Sequence, residues 1–316
     1  MQRIAWALLN RLAGMLIVLA LVVTVVFIIV RVTPGDPAAV MLGSDATPQD
    51  IADLRARMGL DAPILVQYAQ FVLGIFQGDL GQSIFLNQPV TQALAARAEP
   101  TFFLTLFSIL IAVLIALPVG VLSAVKRGTF FDQSVVTLTM IAASVPSFWL
   151  GLMLIQTLAV GMGWFPASGY GGPDTGFIDR LHHLILPALA LGVVNSALIT
   201  RFTRAAMLDV LGDDYVRTAR AKGASERRVI LKHAFKNALV PIITVIGLSI
   251  AMLVAGAVVT ETVFGLPGIG NLVVSAVLRR DYPVIQGTLL VVAAIYVLIN
   301  FIVDMLYILV DPRVRL

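Results

Sequence analysis

The chain has 316 residues, of which 59% are hydrophobic and only 13% charged, with a net charge of +4. A soluble domain of that length carries about 25% charged residues, so a water-soluble globular enzyme is excluded and an integral membrane protein is implied. Cysteine is absent, which excludes disulfides, thiol catalysis and cysteine-held iron–sulfur clusters.

Arg3 and Arg11 mark a short basic N-terminus, and residues 12–30 then run without a charge. A cleaved signal peptide has an apolar core of about 7–15 residues followed by a small-residue cleavage site. This run is longer and ends in Arg31-Val32-Thr33-Pro34-Gly35-Asp36-Pro37, so residues 1–31 are expected to hold a retained first span. Residues 32–98 are hydrophilic enough to lie outside the membrane as a small helical cap. Thr47-Pro48 has the form of an N-cap followed by proline at N1, and Gly59 of a helix stop. Asp61 and Pro63 open a second helix ending near Gly74 or Gly78, with Ile64, Leu65, Tyr68, Phe71, Val72 and Ile75 on an apolar face to be buried. Gly78-Asp79-Leu80-Gly81 reads as a turn.

Five further apolar runs follow, near 100–125, 133–160, 184–200, 238–260 and 284–303. Each is close to the roughly 20 residues that cross a bilayer. With the first they predict an all-α membrane protein of six spans, its five-span core over 99–310 and a short tail over 311–316. The segment 265–281, rich in glycine and proline and then helix-like, is expected to be a short external or re-entrant element. Pro146, Pro187 and Pro241 fall in or beside these runs, where neighbouring helices satisfy the freed carbonyls.

Charge sets the orientation. With six alternating spans and the N-terminus inside, fifteen of the 22 Lys and Arg are cytoplasmic and seven external, which places both termini in the cytoplasm.

The longest charged segment in the core is 215–241, YVRTARAKGASERRVILKHAFKNALVP, within a cytoplasmic loop over about 207–238. It carries Arg217, Arg220, Lys222, Arg227, Arg228, Lys232 and Lys236, with Gly223 at its centre to allow a tight turn between two helical arms. No G-x-x-x-x-G-K-[ST] phosphate loop, H-E-x-x-H or G-x-S-x-G occurs in the chain. His182-His183 lacks nearby carboxylate or thiol partners apart from Asp179, and no metal site is expected. Ionisable groups at mid-membrane depth, which an ion-coupled carrier uses, are nearly absent. Only Asp304, one turn after Asn300, falls within a span, and it reads as a polar contact to a neighbouring helix. An external energy source acting on the cytoplasmic face is therefore expected. The corner Ala221-Lys222-Gly223-Ala224-Ser225 would present a compact knuckle, with flanking cations setting register and on-rate against an acidic rim. A loop that serves only the positive-inside bias is the plainer alternative.

The stretch resembles the EAA loop of bacterial ATP-binding-cassette importer permeases. More narrowly, the chain resembles the first permease subunit of dipeptide, oligopeptide, glutathione and nickel importers. Pro34-Gly35-Asp36-Pro37, Met58-Gly59-Leu60-Asp61-Ala62-Pro63 and Gly78-Asp79-Leu80-Gly81-Gln82-Ser83 carry the likeness early in the chain. Ser144-Val145-Pro146-Ser147-Phe148-Trp149, Arg201-Phe202-Thr203-Arg204, residues 214–223, Glu261-Thr262-Val263-Phe264, Pro267-Gly268-Ile269-Gly270 and Asp311-Pro312-Arg313 carry it further. Arg217, Thr218 and Ala219 stand where the broad pattern has Glu-Ala-Ala, a departure typical of the peptide branch.

The resemblance implies a type I importer fold in the bacterial inner membrane, without catalysis or bound cofactor in this chain. It implies a homologous second permease, two ATPase subunits that bind ATP and magnesium, an extracytoplasmic solute-binding protein and the lipid bilayer as partners, and no nucleic acid. Tyr215, Arg217, Ala219, Arg220, Ala221, Lys222, Gly223, Ala224 and Ser225 are then the ATPase-coupling residues. Ser144, Pro146, Phe148 and Trp149 in the third span, Asn195 in the fourth, and Met252 and Leu253 in the fifth are pathway or gate candidates, each equally able to serve helix packing. Peptides are the expected cargo; nickel chelates, glutathione or another small solute are the alternatives, and an ion-coupled carrier is the reading from another class.

Overall fold

The computed structural model describes residues 2–32, 36–43, 46–57, 59–172 and 175–310. Pro34, Gly35, Met58 and the tail over 311–316, which carried part of the expected pattern, lie outside the described residues. Among those described, every regular element is helical apart from a single bridge between Gln82 and Pro89.

The elements are α1 (Gln2–Val32), α2 (Pro37–Leu42), α3 (Pro48–Arg57), α4 (Ile64–Phe76), α5 (Val90–Val125), α6 (Phe130–Ser144) and α7 (Ser147–Leu154), the last continuing as a π-helix over Ile155–Gly161. Then come α8 (Phe177–Leu211), α9 (Asp214–Ala221) and α10 (Glu226–Arg228), which widens into a π-helix over Val229–Ala234. α11 (Phe235–Val263), α12 (Ile269–Leu278) and α13 (Tyr282–Val310) complete the chain. Among the described residues, five helices are long and apolar enough to span a membrane, and six if α6 with α7 counts as one span.

That third span is not straight. It bends by 94° between α6 and α7. The cause is local: a residue before proline is driven out of the α region, and Val145 is extended at φ −87°, ψ 123°, with Pro146 as the N-cap of α7. The sequence places Pro146 inside an apolar run, and the structure makes it the corner between two half-helices.

The chain divides into two compact units. The first comprises residues 1–99 and 271–297. Here Phe27 of α1 packs edge-on against Tyr68 of α4, with ring centroids 5.2 Å apart, and also meets Phe71. Arg31 lies 3.8 Å over the Phe27 ring and donates to Gln67 Oε1, while Gln67 Nε2 donates to the carbonyls of Leu60 and Ala62. This network holds the α3–α4 turn, where Gly59 has φ +66°, against the end of α1. The apolar face expected of α4 is covered only in part: Tyr68, Phe71, Val72 and Ile75 are half-buried, but Ile64 and Leu65 are exposed. Helical spacing identifies residues that share a face, and says nothing of what covers it. Thr47 and Asp50 form a capping box at the start of α3, with the Thr47 hydroxyl 2.6 Å from Asp50 Oδ2 and the Asp50 N–H donating back to Thr47 Oγ1. Asp281 anchors the loop over 81–90 to the α12–α13 corner: its Oδ2 accepts from Ser83 Oγ at 2.6 Å and from the Phe85 N–H.

The second unit comprises residues 100–270 and 298–316. Its axis is α8. Three apolar clusters follow one another along α5, α8 and α11. The first gathers Leu104, Leu184, Leu186, Leu253 and Phe264, the next Ala112, Ala116, Ile199 and Val245, the last Ala124, Met207, Ala238 and Ile242. Close approach is built with glycine. A Cβ on Gly192 would stand 2.8 Å from the Ser108 carbonyl oxygen, and one on Gly120 would stand 2.9 Å from that of Thr200. Small residues let membrane helices meet in this way, where dispersion replaces the hydrophobic effect as the attractive force.

Candidate functional site

α9 begins at Asp213, whose extended backbone (φ −69°, ψ 148°) turns the chain out of α8. Val216 is its single buried residue and roots the helix in the unit; the rest of α9 is largely open. The helix ends in a Schellman motif: the Ala224 N–H donates to the Ala219 carbonyl at 3.2 Å and the Gly223 N–H to that of Arg220 at 2.9 Å. Gly223 supplies the left-handed residue that this closure needs, with φ +80° and no atom within 4 Å of where a Cβ would stand. Ser225, extended, starts the next arm, and its carbonyl accepts from the Arg228 and Val229 N–H groups.

Two side-chain pairs stiffen this corner. Arg220 grips Glu226 across the turn through Nη2–Oε1 at 2.8 Å and Nε–Oε2 at 3.2 Å, and the carboxylate raises the Arg220 pKa. Asn237 Nδ2 donates to Tyr215 Oη at 2.9 Å, tying α9 to α11. The residues from Tyr215 to Ser225, expected to couple to a partner, thus form one structural object, an exposed knuckle joined to α8 on one side and α11 on the other. The structure refines the expected charge roles. Arg220 is engaged within the corner, and Arg217 makes only a long, solvent-open contact of 3.4 Å with Asp214. Among the described residues, Lys222, Arg227, Arg228, Lys232 and Lys236 are exposed with no carboxylate partner, and they are the cations open to an acidic surface.

Sequence reasoning missed the ion pair behind the knuckle. Asp132 at the start of α6 accepts from Arg204 of α8 through Nε–Oδ1 at 2.6 Å and Nη2–Oδ2 at 2.8 Å. Asp132 also takes the Ser123 hydroxyl at 2.5 Å and the Gly128 N–H at 2.9 Å. The α5–α6 loop is thereby fastened to α8 two turns before the chain leaves for α9. Arg204 belonged to a recognised run, but a partner 72 residues away leaves no local signal. A second missed network closes the other end: Thr101 Oγ1 donates to buried Glu261 Oε1 at 2.6 Å and accepts from the Ile269 N–H at 2.9 Å.

The pathway candidates divide. Ser144, Pro146, Phe148 and Trp149 cluster at the α6–α7 corner; Phe148 and Trp149 are open, and Ser144 Oγ donates to its own helix at Met140. Asn195 is half-buried and also bonds its own helix, through the Leu191 carbonyl. On α11, Met252 is 61% exposed, whereas the adjacent Leu253 is 1% exposed inside the apolar cluster around Phe264. Among the described residues, no three or more His, Cys, Asp or Glu side chains gather as metal ligands.

Comparison with known proteins fits this architecture. Residues 116–316 match the family described as binding-protein-dependent transport system inner membrane component, and residues 4–104 match its N-terminal region. A probable peptide ABC transporter permease protein of Sinorhizobium fredii is 45% identical over 97% of this chain and 98% of its own length. The dipeptide transport system permease protein DppB of Escherichia coli K12 is 42% identical over 92% of each chain. Among solved structures, an inward-facing conformation of the MetNI methionine ABC transporter aligns with a TM-score of 0.57 at 23% identity, covering 70% of this chain and 97% of that one. That last likeness speaks for the fold, and the first three for descent. A multi-pass helical protein with this match over nearly its whole length belongs to the binding-protein-dependent transport system inner membrane component family.

Proposed function

We propose that this chain is one of two homologous permease subunits of an ATP-driven, binding-protein-dependent importer of di- or oligopeptides in the bacterial inner membrane. Both termini lie in the cytoplasm. The observation that carries the mechanism is the stiffened α9–Gly223–α10 corner: a rooted, exposed, cation-bearing knuckle continuous with two packed spans. A separate ATPase subunit grips it, the free cations setting orientation as the surfaces meet. Movement of the ATPases is passed to α8 and α11. ATP and magnesium bind on those partner subunits, and this chain performs no chemistry of its own. The solute-binding protein delivers cargo on the opposite face, and coupling means that loaded binding protein and ATP favour the same global state.

The peptide reading draws on the named functions of the relatives in Sinorhizobium and Escherichia. Nickel chelates, glutathione and other small solutes are the competing cargoes. Uptake by a deletion strain restored with this chain and its partner subunits, competed in turn by dipeptides, glutathione and chelated nickel, decides among them. Gly223→Val in the same strain tests the knuckle. Membrane insertion and assembly are expected to persist while uptake falls by at least tenfold; full uptake in that variant would overturn the coupling assignment.

A further inference from the structure

The first unit contains a cleft of about 110 Å³ lined by the 85–86 loop, the start of α5 and the α12–α13 corner. Two of its lining residues are Arg97 and Arg279. Neither guanidinium meets a carboxylate among the described residues. Asp281 also lines the cleft, but its carboxylate already accepts from Ser83 Oγ at 2.6 Å, the Phe85 N–H at 3.3 Å and the Val284 N–H at 3.5 Å. Arg279 is held in place by the ring of Phe85, 5.2 Å below its guanidinium carbon. Leu86, Leu272, Ala276 and Val284 supply apolar lining and Ser275 a hydroxyl.

The depth of the cleft follows from the sequence. Arg97 lies three residues before the apolar run that opens at Pro100, and Arg279 five before the run that opens at Val284. With six alternating spans, the starts of the second and the sixth lie on the same side of the membrane. Both arginines therefore stand at the headgroup level of one leaflet, where phosphate is the abundant anion. Exposed apolar residues adjoin the cleft: Phe85 and Leu86 in its lining, and Val277 and Leu278 on α12 just before Arg279. Two unpaired guanidiniums with an apolar rim at that depth match a phosphodiester and the first carbons of its acyl chains. An acidic side chain of a docking protein would satisfy the cations without using the rim.

We propose that this cleft is a binding site for an anionic phospholipid, its phosphate held between Arg97 and Arg279. The site shares no residue with the α9–α10 corner and does not depend on the cargo. The test uses the full chain within the purified importer complex, with thermal stability and native mass spectrometry as readouts and phosphatidylglycerol, phosphatidylcholine and inorganic phosphate as probes. Phosphatidylglycerol is expected to raise the melting temperature with the logarithm of its concentration and to remain bound in the mass spectrum. Phosphatidylcholine and inorganic phosphate are expected to do neither. R97Q/R279Q is expected to weaken the phosphatidylglycerol response at least tenfold, about one charge-assisted hydrogen bond. R97K/R279K, which keeps both charges, and R280Q, beside the cleft, are expected to keep most of it. Should the double variant fail to assemble, the single R279Q at the exposed side carries the same reading.

An undiminished response in R97Q/R279Q, an equal loss in R280Q, or an equal response to phosphatidylcholine would overturn the site. A full response to inorganic phosphate alone would reduce it to an adventitious anion. Intact lipid binding in R97Q/R279Q with lost stimulation of ATP hydrolysis by the binding protein would reassign the cleft to protein docking.

Discussion

At Gly223 the backbone occupies a conformation that costs an L-residue about 1–2 kcal/mol, in space that would accept a side chain. The obstacle to substitution is therefore torsional and not steric, and this sharpens the mutational expectation. Gly223→Asn, a residue that tolerates φ > 0, is expected to keep a substantial part of transport-coupled ATP hydrolysis, whereas Gly223→Val loses it at equal protein levels. Asp132→Ala leaves Arg204 with its charge and no partner. Breaking a buried pair costs about 3–5 kcal/mol, and the low end is expected because Arg204 is 25% exposed. Thermal melting of the detergent-solubilised complex measures it. At the α3 capping box, hydrogen bonds from the Thr47 hydroxyl and N–H hold the Asp50 carboxyl below its usual range. That contribution to α3 is present above the unfolded carboxyl pKa and is lost as acidification passes the lowered folded value. Thr47→Ala is expected to weaken this acid dependence, read by hydrogen exchange of the α3 amides. The sequence made Gly223 and Thr47 legible because caps and left-handed turns are decided within a few residues. It left Asp132–Arg204 and Thr101–Glu261 dark, since each joins residues far apart in the chain.

The elements were legible in number and position, because twenty-residue apolar runs have few other uses. What failed at this scale was shape. The third run reads as one span by hydropathy, which averages over the backbone, while the pre-proline constraint at Val145 acts on a single torsion and bends the element by 94°. The half-exposed α4 is the same lesson on the packing side: in a chain this apolar, a hydrophobic stripe no longer identifies an inner face. Packing between elements hangs on a few glycines. Gly192→Leu places a side chain against the Ser108 carbonyl and the Ile111 side chain, neither able to yield without moving α5. Loss of assembled protein is expected, seen as aggregation on size-exclusion chromatography, whereas Gly14→Leu, with open space around it, is expected to behave as wild type.

For the whole molecule, the proposed orientation rests on a count, fifteen basic residues on the side of the termini against seven on the other, and a chemical test can decide it. The native chain has no cysteine, so single cysteines report without background. Lys222→Cys is expected to react with a membrane-impermeant maleimide only after the cytoplasmic face is opened, and Arg280→Cys in intact spheroplasts; the reverse pattern would invert the topology. The two close approaches between α5 and α8, at Gly192 and at Gly120 near Thr203, have a mechanical consequence. Gly192 and Thr203 are eleven residues apart on α8, which corresponds to about 16 Å along a helix axis. Two clamps that far apart forbid both scissoring and sliding, so the helices move as a girder and not as a hinge. Spin labels placed one on α5 and one on α8 within the second unit should return the same separation with and without ATP, leaving the rearrangement of the transport cycle to other joints.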